Sequence, residues 1–167
     1  IFVPELAGPA KIALIERTGA DLTVVPGEYA DAMAQAKSHE ASSGAMQVHA
    51  YDAVATVVGQ GTVLAEWEAQ GLADHTVFIA VGGGGLIAGA MAWAQGARKI
   101  IAVEPETSCA LAQARHSGAP VDVAVSGVAA NALGARRIGH ICFELAQQQD
   151  IACVTVPDEA IVDAQTR

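Results

Sequence analysis

Short runs of β-branched and aliphatic residues alternate along this chain with longer stretches whose apolar positions recur at helical spacing. Residues 2–4, 22–25, 46–49, 76–81, 99–103 and 151–156 read as strands. Residues 9–18, 29–42, 86–94, 108–116 and 140–149 read as helices, and Gly59-Gln60-Gly61-Thr62 reads as the opening of a further helix that runs to Gln70. Pro157-Asp158-Glu159 starts a last helix, with acids where the helix dipole favours them. Residues 119–139 are irregular and rich in Gly and Ala. Strands separated by helices are the pattern of right-handed βαβ units. The expected fold is therefore α/β: a parallel sheet with helices on both faces.

One junction stands out. Gly82, Gly83, Gly84 and Gly85 sit between the apolar run 76–81 and a second apolar run that starts at Leu86. Four residues without a Cβ let successive N–H groups turn into one concavity. The helix that follows brings unpaired donors and a partial positive charge to the same place. Strand, glycine loop and helix make an anion site, with phosphate as its usual occupant. A plain strand-to-helix turn is the bland alternative, though one or two glycines would be enough for it.

The 167 residues suffice for one domain with a core. At 52% hydrophobic and 4% aromatic, that core is built mainly from Ala, Val, Ile and Leu, as in a buried parallel sheet. A net charge of −9 without a basic patch argues against nucleic acid as a partner. Cys109, Cys142 and Cys153 are odd in number and lack CxxC spacing, which suits reduced thiols of a cytoplasmic protein; Cys142 and Cys153 read as core. The five histidines follow no metal-ligand pattern. No apolar run is long enough to cross a bilayer, and no membrane partner is expected. Neither terminus reads as a natural chain end: the first residues are Ile-Phe-Val-Pro, and the last fall within a helical pattern.

Two phosphate folds compete for the glycine loop. Residues 83–88 match a dinucleotide fingerprint, and Glu104 stands where a ribose-binding acid belongs, which would make the protein a nicotinamide-dependent dehydrogenase. The remaining motifs point elsewhere. Val81 to Gly89 resembles the phosphate cup of the pyridoxal-phosphate enzymes of fold type II, in the serine/threonine dehydratase and serine racemase group. Gly59-Gln60-Gly61-Thr62, Val103-Glu104-Pro105, Phe2-Val3-Pro4-Glu5 with Pro9-Ala10-Lys11, and Val48-His49 followed by Asp52 resemble further motifs of that group, in the same order.

The resemblance implies pyridoxal phosphate as cofactor, held by Gly82, Gly83, Gly84, Gly85 and Leu86. It implies an ammonia-lyase acting on a small hydroxy amino acid, with an amino-acid racemase or a catalytically inactive binding relative as alternatives. It places residues 1–49 in a small mobile domain and 50–167 in a large cofactor-binding domain, and it implies a homo-oligomer. Tyr51 and Ala132 would border the substrate side, next to an Ala130-Asn131-Ala132 stretch in which Asn131 replaces the family's acid. Glu104 would be a weak metal ligand, because Ala110 replaces the family's second acid. The Schiff-base lysine of the family would precede Ile1; Lys11, Lys37 and Lys99 read as surface lysines. A Gly84→Val change is expected to weaken cofactor binding while the fold survives.

Overall fold

The computed structural model describes residues 1–27 and 29–167. They form two compact units, Ile1–Val48 and His49–Arg167.

In the first unit, strands β1 (Phe2–Pro4) and β2 (Thr23–Val25) pair in parallel, with Phe2 opposite Thr23 and Pro4 opposite Val25. Helix α1 (Pro9–Glu16) connects them, and α2 (Tyr29–Ser43) follows. Pro9 sits in the first turn of α1, where its missing N–H costs nothing. The buried apolar side chains of this unit are Val25 and Ala32, and the Phe2 ring meets His39 at 5.4 Å.

The second unit holds a three-stranded parallel sheet in the order β3 (Thr76–Ala80), β4 (Lys99–Pro105), β5 (Ala152–Val156). Val77 lies opposite Ile100 and Ile79 opposite Ala102, and Ala102 lies opposite Cys153. The helices are α3 (Val54–Ala69), α4 (Gly85–Ala94), α5 (Ala110–Ser117), the short α6 (Ala130–Leu133), α7 (His140–Gln149) and α8 (Asp158–Thr166). Helix α4 is apolar on nearly every side because it is buried nearly throughout, with Ile87, Ala88 and Met91 at 0% exposure. Leu64 of α3, Leu111 of α5 and Ile100 of β4 complete the core around it.

Three local expectations are corrected. Gly59-Gln60-Gly61-Thr62 lies inside α3, which starts earlier, at Val54. The reason is packing: Gly61 faces Gly89 of α4, and a Cβ on Gly61 would lie 3.0 Å from the Gly89 carbonyl oxygen. Close helix contact outweighs the weakness of glycine as a helix former. Residues 46–49 form no strand; the chain turns there around His49, whose ring nitrogen accepts from two following amides. Within 119–139, residues Ala130–Leu133 form one helical turn. Cys142 is buried as expected, whereas Cys153 is only partly so.

At the far end of the α3–α4 pair, Glu68 accepts from Trp93 Nε1 at 2.8 Å and from Arg98 at 2.6 Å. The Arg98 bond, then the Trp93 bond, holds the Glu68 carboxyl below its usual range. On the other side of β3, Phe78 is 64% exposed and joins Leu64, Trp67 and Leu86 around an apolar cavity of about 170 Å³. Among the described residues, β3 pairs with β4 alone.

The Gly61–Gly89 contact gives a test. A Cβ on Gly89 would lie 2.6 Å from the Val57 carbonyl oxygen and 2.7 Å from the Gln60 carbonyl carbon. Helix propensity alone favours alanine over glycine by about 1 kcal/mol. Overpacking costs about 1–3 kcal/mol, and a helix backbone yields less than a side chain. Gly89→Ala should therefore destabilise the protein by about 1–2 kcal/mol net. Urea unfolding should show a lower midpoint with an unchanged slope; a higher midpoint would mean that the helices are free to separate.

Candidate active site around the glycine loop

The loop between β3 and α4 is hemmed in by three other segments of the chain. A Cβ on Gly82 would lie 3.1 Å from Leu133 Cα, next to Ala132. On Gly83 it would run into the Tyr51 ring, and on Gly85 it would lie 3.0 Å from Tyr51 Cα. On Gly84 it would lie 2.6 Å from Cys142 Sγ and 2.8 Å from Ile138 Cδ1. Gly84 also has φ +91°, a left-handed conformation that disfavours residues with a Cβ. The four glycines thus answer to close packing as well as to any ligand. Gly82, Gly83, Tyr51 and Leu133 come together in space.

The loop is pinned at its ends. Val81 donates its amide to the Val103 carbonyl at 2.9 Å, and Gly139 donates to the Gly83 carbonyl at 3.0 Å. Gly84 is the N-cap of α4, with no side chain capping the helix. The first-turn amides of α4 have no intrahelical acceptor, so the positive end of a buried helix stands open at the loop. Gly82 and Gly83 are half-buried, and Leu86 points its side chain outward.

Tyr51 is held against the loop by its own turn. His49 Nδ1 accepts from the Asp52 amide at 2.9 Å and from the Tyr51 amide at 3.3 Å. The two rings meet edge-on at 5.1 Å. Tyr51 Oη donates to the Arg137 carbonyl at 3.5 Å. Asp52 Oδ1 accepts from the Ile141 amide at 3.1 Å, placing a carboxylate at the positive end of α7. The sequence showed His49 and Asp52 as a motif without giving either a task; no signal short of the fold links Asp52 to α7.

Glu104 stands apart from the loop. It is fully buried at the end of β4, where Oε1 accepts from the Leu111 amide at 2.7 Å and Oε2 from the Ala112 amide at 2.8 Å. Burial pushes its carboxyl up, against the pull of those two amides. Both oxygens serve the start of α5, so the carboxylate is withdrawn from the surface where a ribose hydroxyl would need it, and the dinucleotide reading loses its acid. Among the described residues, no group of three or more His, Cys, Asp or Glu gathers for a metal ion. Cys142, behind Gly84, has its thiol pushed up to about 12 by burial, with Glu104 adding to the shift, so it stays neutral at pH 7. Lys11, Lys37 and Lys99 are all exposed.

A cavity of about 380 Å³ lies elsewhere, bordered by Thr107, Ser108, Cys109, Val121 and Ser126. The Ser108 hydroxyl there is buried and lacks a partner among the described residues. None of the residues lining this cavity belongs to the glycine loop. Among the described residues, no helix is long and apolar enough to cross a membrane.

Comparisons with known proteins agree with this geometry. The family model described as "Pyridoxal-phosphate dependent enzyme" matches residues 1–167. The biosynthetic L-threonine dehydratase of Burkholderia multivorans is 33% identical over 171 residues, covering 98% of this chain and 34% of that protein. The chloroplastic threonine dehydratase 1 of Solanum lycopersicum is 34% identical over 166 residues, covering 96% of this chain and 27% of that protein. The chain thus spans about a third of the length of these relatives. Among solved structures, maize serine racemase superposes with a TM-score of 0.88 at 25% identity, covering 98% of this chain and 50% of that one.

Gly84 generates the stability test of the loop. Valine there meets Cys142 and Ile138 and must hold a left-handed φ. Strain at such a φ costs about 1–3 kcal/mol, and overpacking costs a similar amount. Gly84→Val should therefore lower stability by about 2–5 kcal/mol in chemical denaturation. Wild-type stability in the variant would show that Cys142 and Ile138 have room to move.

Proposed function

Because the chain belongs to the pyridoxal-phosphate dependent enzymes, we propose that the intact protein is a serine/threonine dehydratase. It converts a small hydroxy amino acid to a 2-oxo acid and ammonia. The observation that supports this most is that threonine dehydratase similarity extends over 98% of the chain, glycine loop included. Pyridoxal phosphate supplies an electron sink for carbanion chemistry at the α-carbon of an amino acid.

The residues present fit the phosphate of that cofactor. We assign Gly82, Gly83, Gly84, Gly85 and Leu86 to it. The start of α4 offers amides without side-chain caps, and the loop carries no Cβ to keep a ligand away. No cationic side chain belongs to the loop, so what the loop itself offers the anion is backbone dipoles. The neutral Cys142 thiol behind Gly84 adds no opposing charge. Tyr51 and Ala132 border the loop and face the amino-acid side. Glu104 is given a structural task, orienting α5, rather than a metal.

The unit Ile1–Val48 is taken as part of a small domain and His49–Arg167 as part of the large cofactor-binding domain. We look for the covalent anchor outside these residues: Lys11, Lys37 and Lys99 are exposed, whereas an amine that reacts at neutral pH is favoured by a desolvated site. We take the intact protein to be a cytoplasmic homo-oligomer, in keeping with the family resemblance of its motifs. The likeness to maize serine racemase favours a second reading, amino-acid racemisation at the same site.

One assay separates the two readings. The intact protein, supplied with pyridoxal phosphate, should release 2-oxobutanoate from L-threonine or pyruvate from L-serine faster than it forms D-serine. Formation of D-serine without 2-oxo acid would overturn the dehydratase reading. A second measurement tests the loop. The atoms nearest to a Cβ at Gly83 belong to the Tyr51 side chain rather than to backbone, and Gly83 has no left-handed φ. Gly83→Ala should weaken cofactor binding about tenfold or more while shifting the unfolding midpoint less than Gly84→Val does. Unchanged cofactor affinity in a folded Gly83→Ala protein would remove the loop from the site.

A further inference from the structure

We propose that His49, in the neutral form protonated on Nε2, is a positioning residue for the glycine loop, acting through Tyr51. The proposal rests on the reading of that loop as the cofactor's phosphate cup.

His49 Nδ1 accepts two hydrogen bonds, from the amides of Tyr51 and Asp52. A nitrogen that accepts carries no proton, so the ring's one proton sits on Nε2. Thr56 Oγ1, in the first turn of α3, donates to the His49 carbonyl at 2.7 Å and fixes the other end of the turn. The turn sets two walls at once. Tyr51 lies over Gly83, with its backbone against Gly85. Asp52 reaches across to the Ile141 amide and packs on Gly139, whose own amide holds the Gly83 carbonyl. One imidazole nitrogen therefore controls how the loop is covered on one side and how its carbonyl is tethered on the other.

The same atom is the one that acid protonates. A proton on Nδ1 turns an acceptor into a donor facing two donors, and both bonds are lost together. The ionisable groups around this turn are few. Asp52 and Tyr51 lie on the turn itself, with Asp52 committed to Ile141. Arg136, Arg137 and His140 lie on the segment that receives the Tyr51 hydroxyl and leads into α7, and Arg137 is paired with Asp122 at 2.7 Å. Helix α3, which follows the turn, contributes the uncharged Thr56. Protonation of that nitrogen should therefore weaken cofactor affinity, through the loss of both turn bonds.

The test compares wild type, His49→Asn and His49→Leu in the intact protein. The Asn side-chain oxygen occupies the place of Nδ1 and accepts the same amides, as in an Asx turn, yet does not titrate. Leu removes the acceptor. Affinity for pyridoxal phosphate is read by absorbance titration between pH 5.5 and 8, alongside thermal unfolding of the cofactor-free protein. At pH 8, His49→Asn should bind within about threefold of wild type and His49→Leu at least about tenfold more weakly. The ratio of wild-type to His49→Asn affinity should fall as the pH drops, because the cofactor's own titration cancels in that ratio. The thermal midpoints should diverge in the same direction. A ratio that stays constant with pH, or a His49→Leu protein that binds like wild type, would overturn the positioning role. Failure of wild type to bind pyridoxal phosphate at any pH would instead overturn the cup itself.

Discussion

The short distance between backbone and backbone at the start of α4 governs this structure. Within four residues the chain leaves a parallel strand, enters a left-handed conformation at Gly84 and begins a buried helix. It does so while Tyr51, Leu133, Ile138 and Cys142 press on it from separate segments. A single methyl group at any of these positions would displace one of those neighbours. The contact between Gly61 and Gly89 repeats the constraint at mid-helix, where α3 and α4 approach until backbone meets backbone. Fold and site therefore share one requirement. The space that would let a phosphate approach is left by the same missing side chains that let the helices close.

Charge follows from that arrangement. The open end of α4 carries the attraction for an anion. Cys142 is neutral, and the Glu104 carboxylate is spent on the amides of α5. Asp52 plays for α7 the part that Glu104 plays for α5, each placing a carboxylate at a helix start. Two acids that look available in the sequence are thus internal ties.

What the sequence revealed depended on how local the cause was. The alternation of strand and helix, the parallel pairing and the glycine junction were legible because periodicity and turn chemistry act over a few residues. The start of α3 was not: Gly59 and Gly61 look like punctuation until Gly89 is placed against them. Residues 46–49 look like a strand because their apolar pattern says nothing about a ring nitrogen capturing the next two amides. Tyr51 was singled out through motif resemblance, whereas the contact of Cys142 with Gly84 spans 58 positions and leaves no trace in either segment. Glu104 was visible as a conspicuous acid, but its partners, two backbone amides, are anonymous in any sequence.

Among the described residues, one side of β3 has no strand partner, and its chemistry has a consequence for these residues in solution. A parallel sheet ordinarily hides both margins, yet here a strand with Val77 and Ile79 buried shows Phe78 to solvent, beside a hollow framed by Trp67 and Leu86. Its outward carbonyls and amides form a ready template, and the apolar rim rewards whatever strand docks first. A lysine in place of Phe78 would act as a gatekeeper, setting a desolvation penalty on strand pairing at that side of β3.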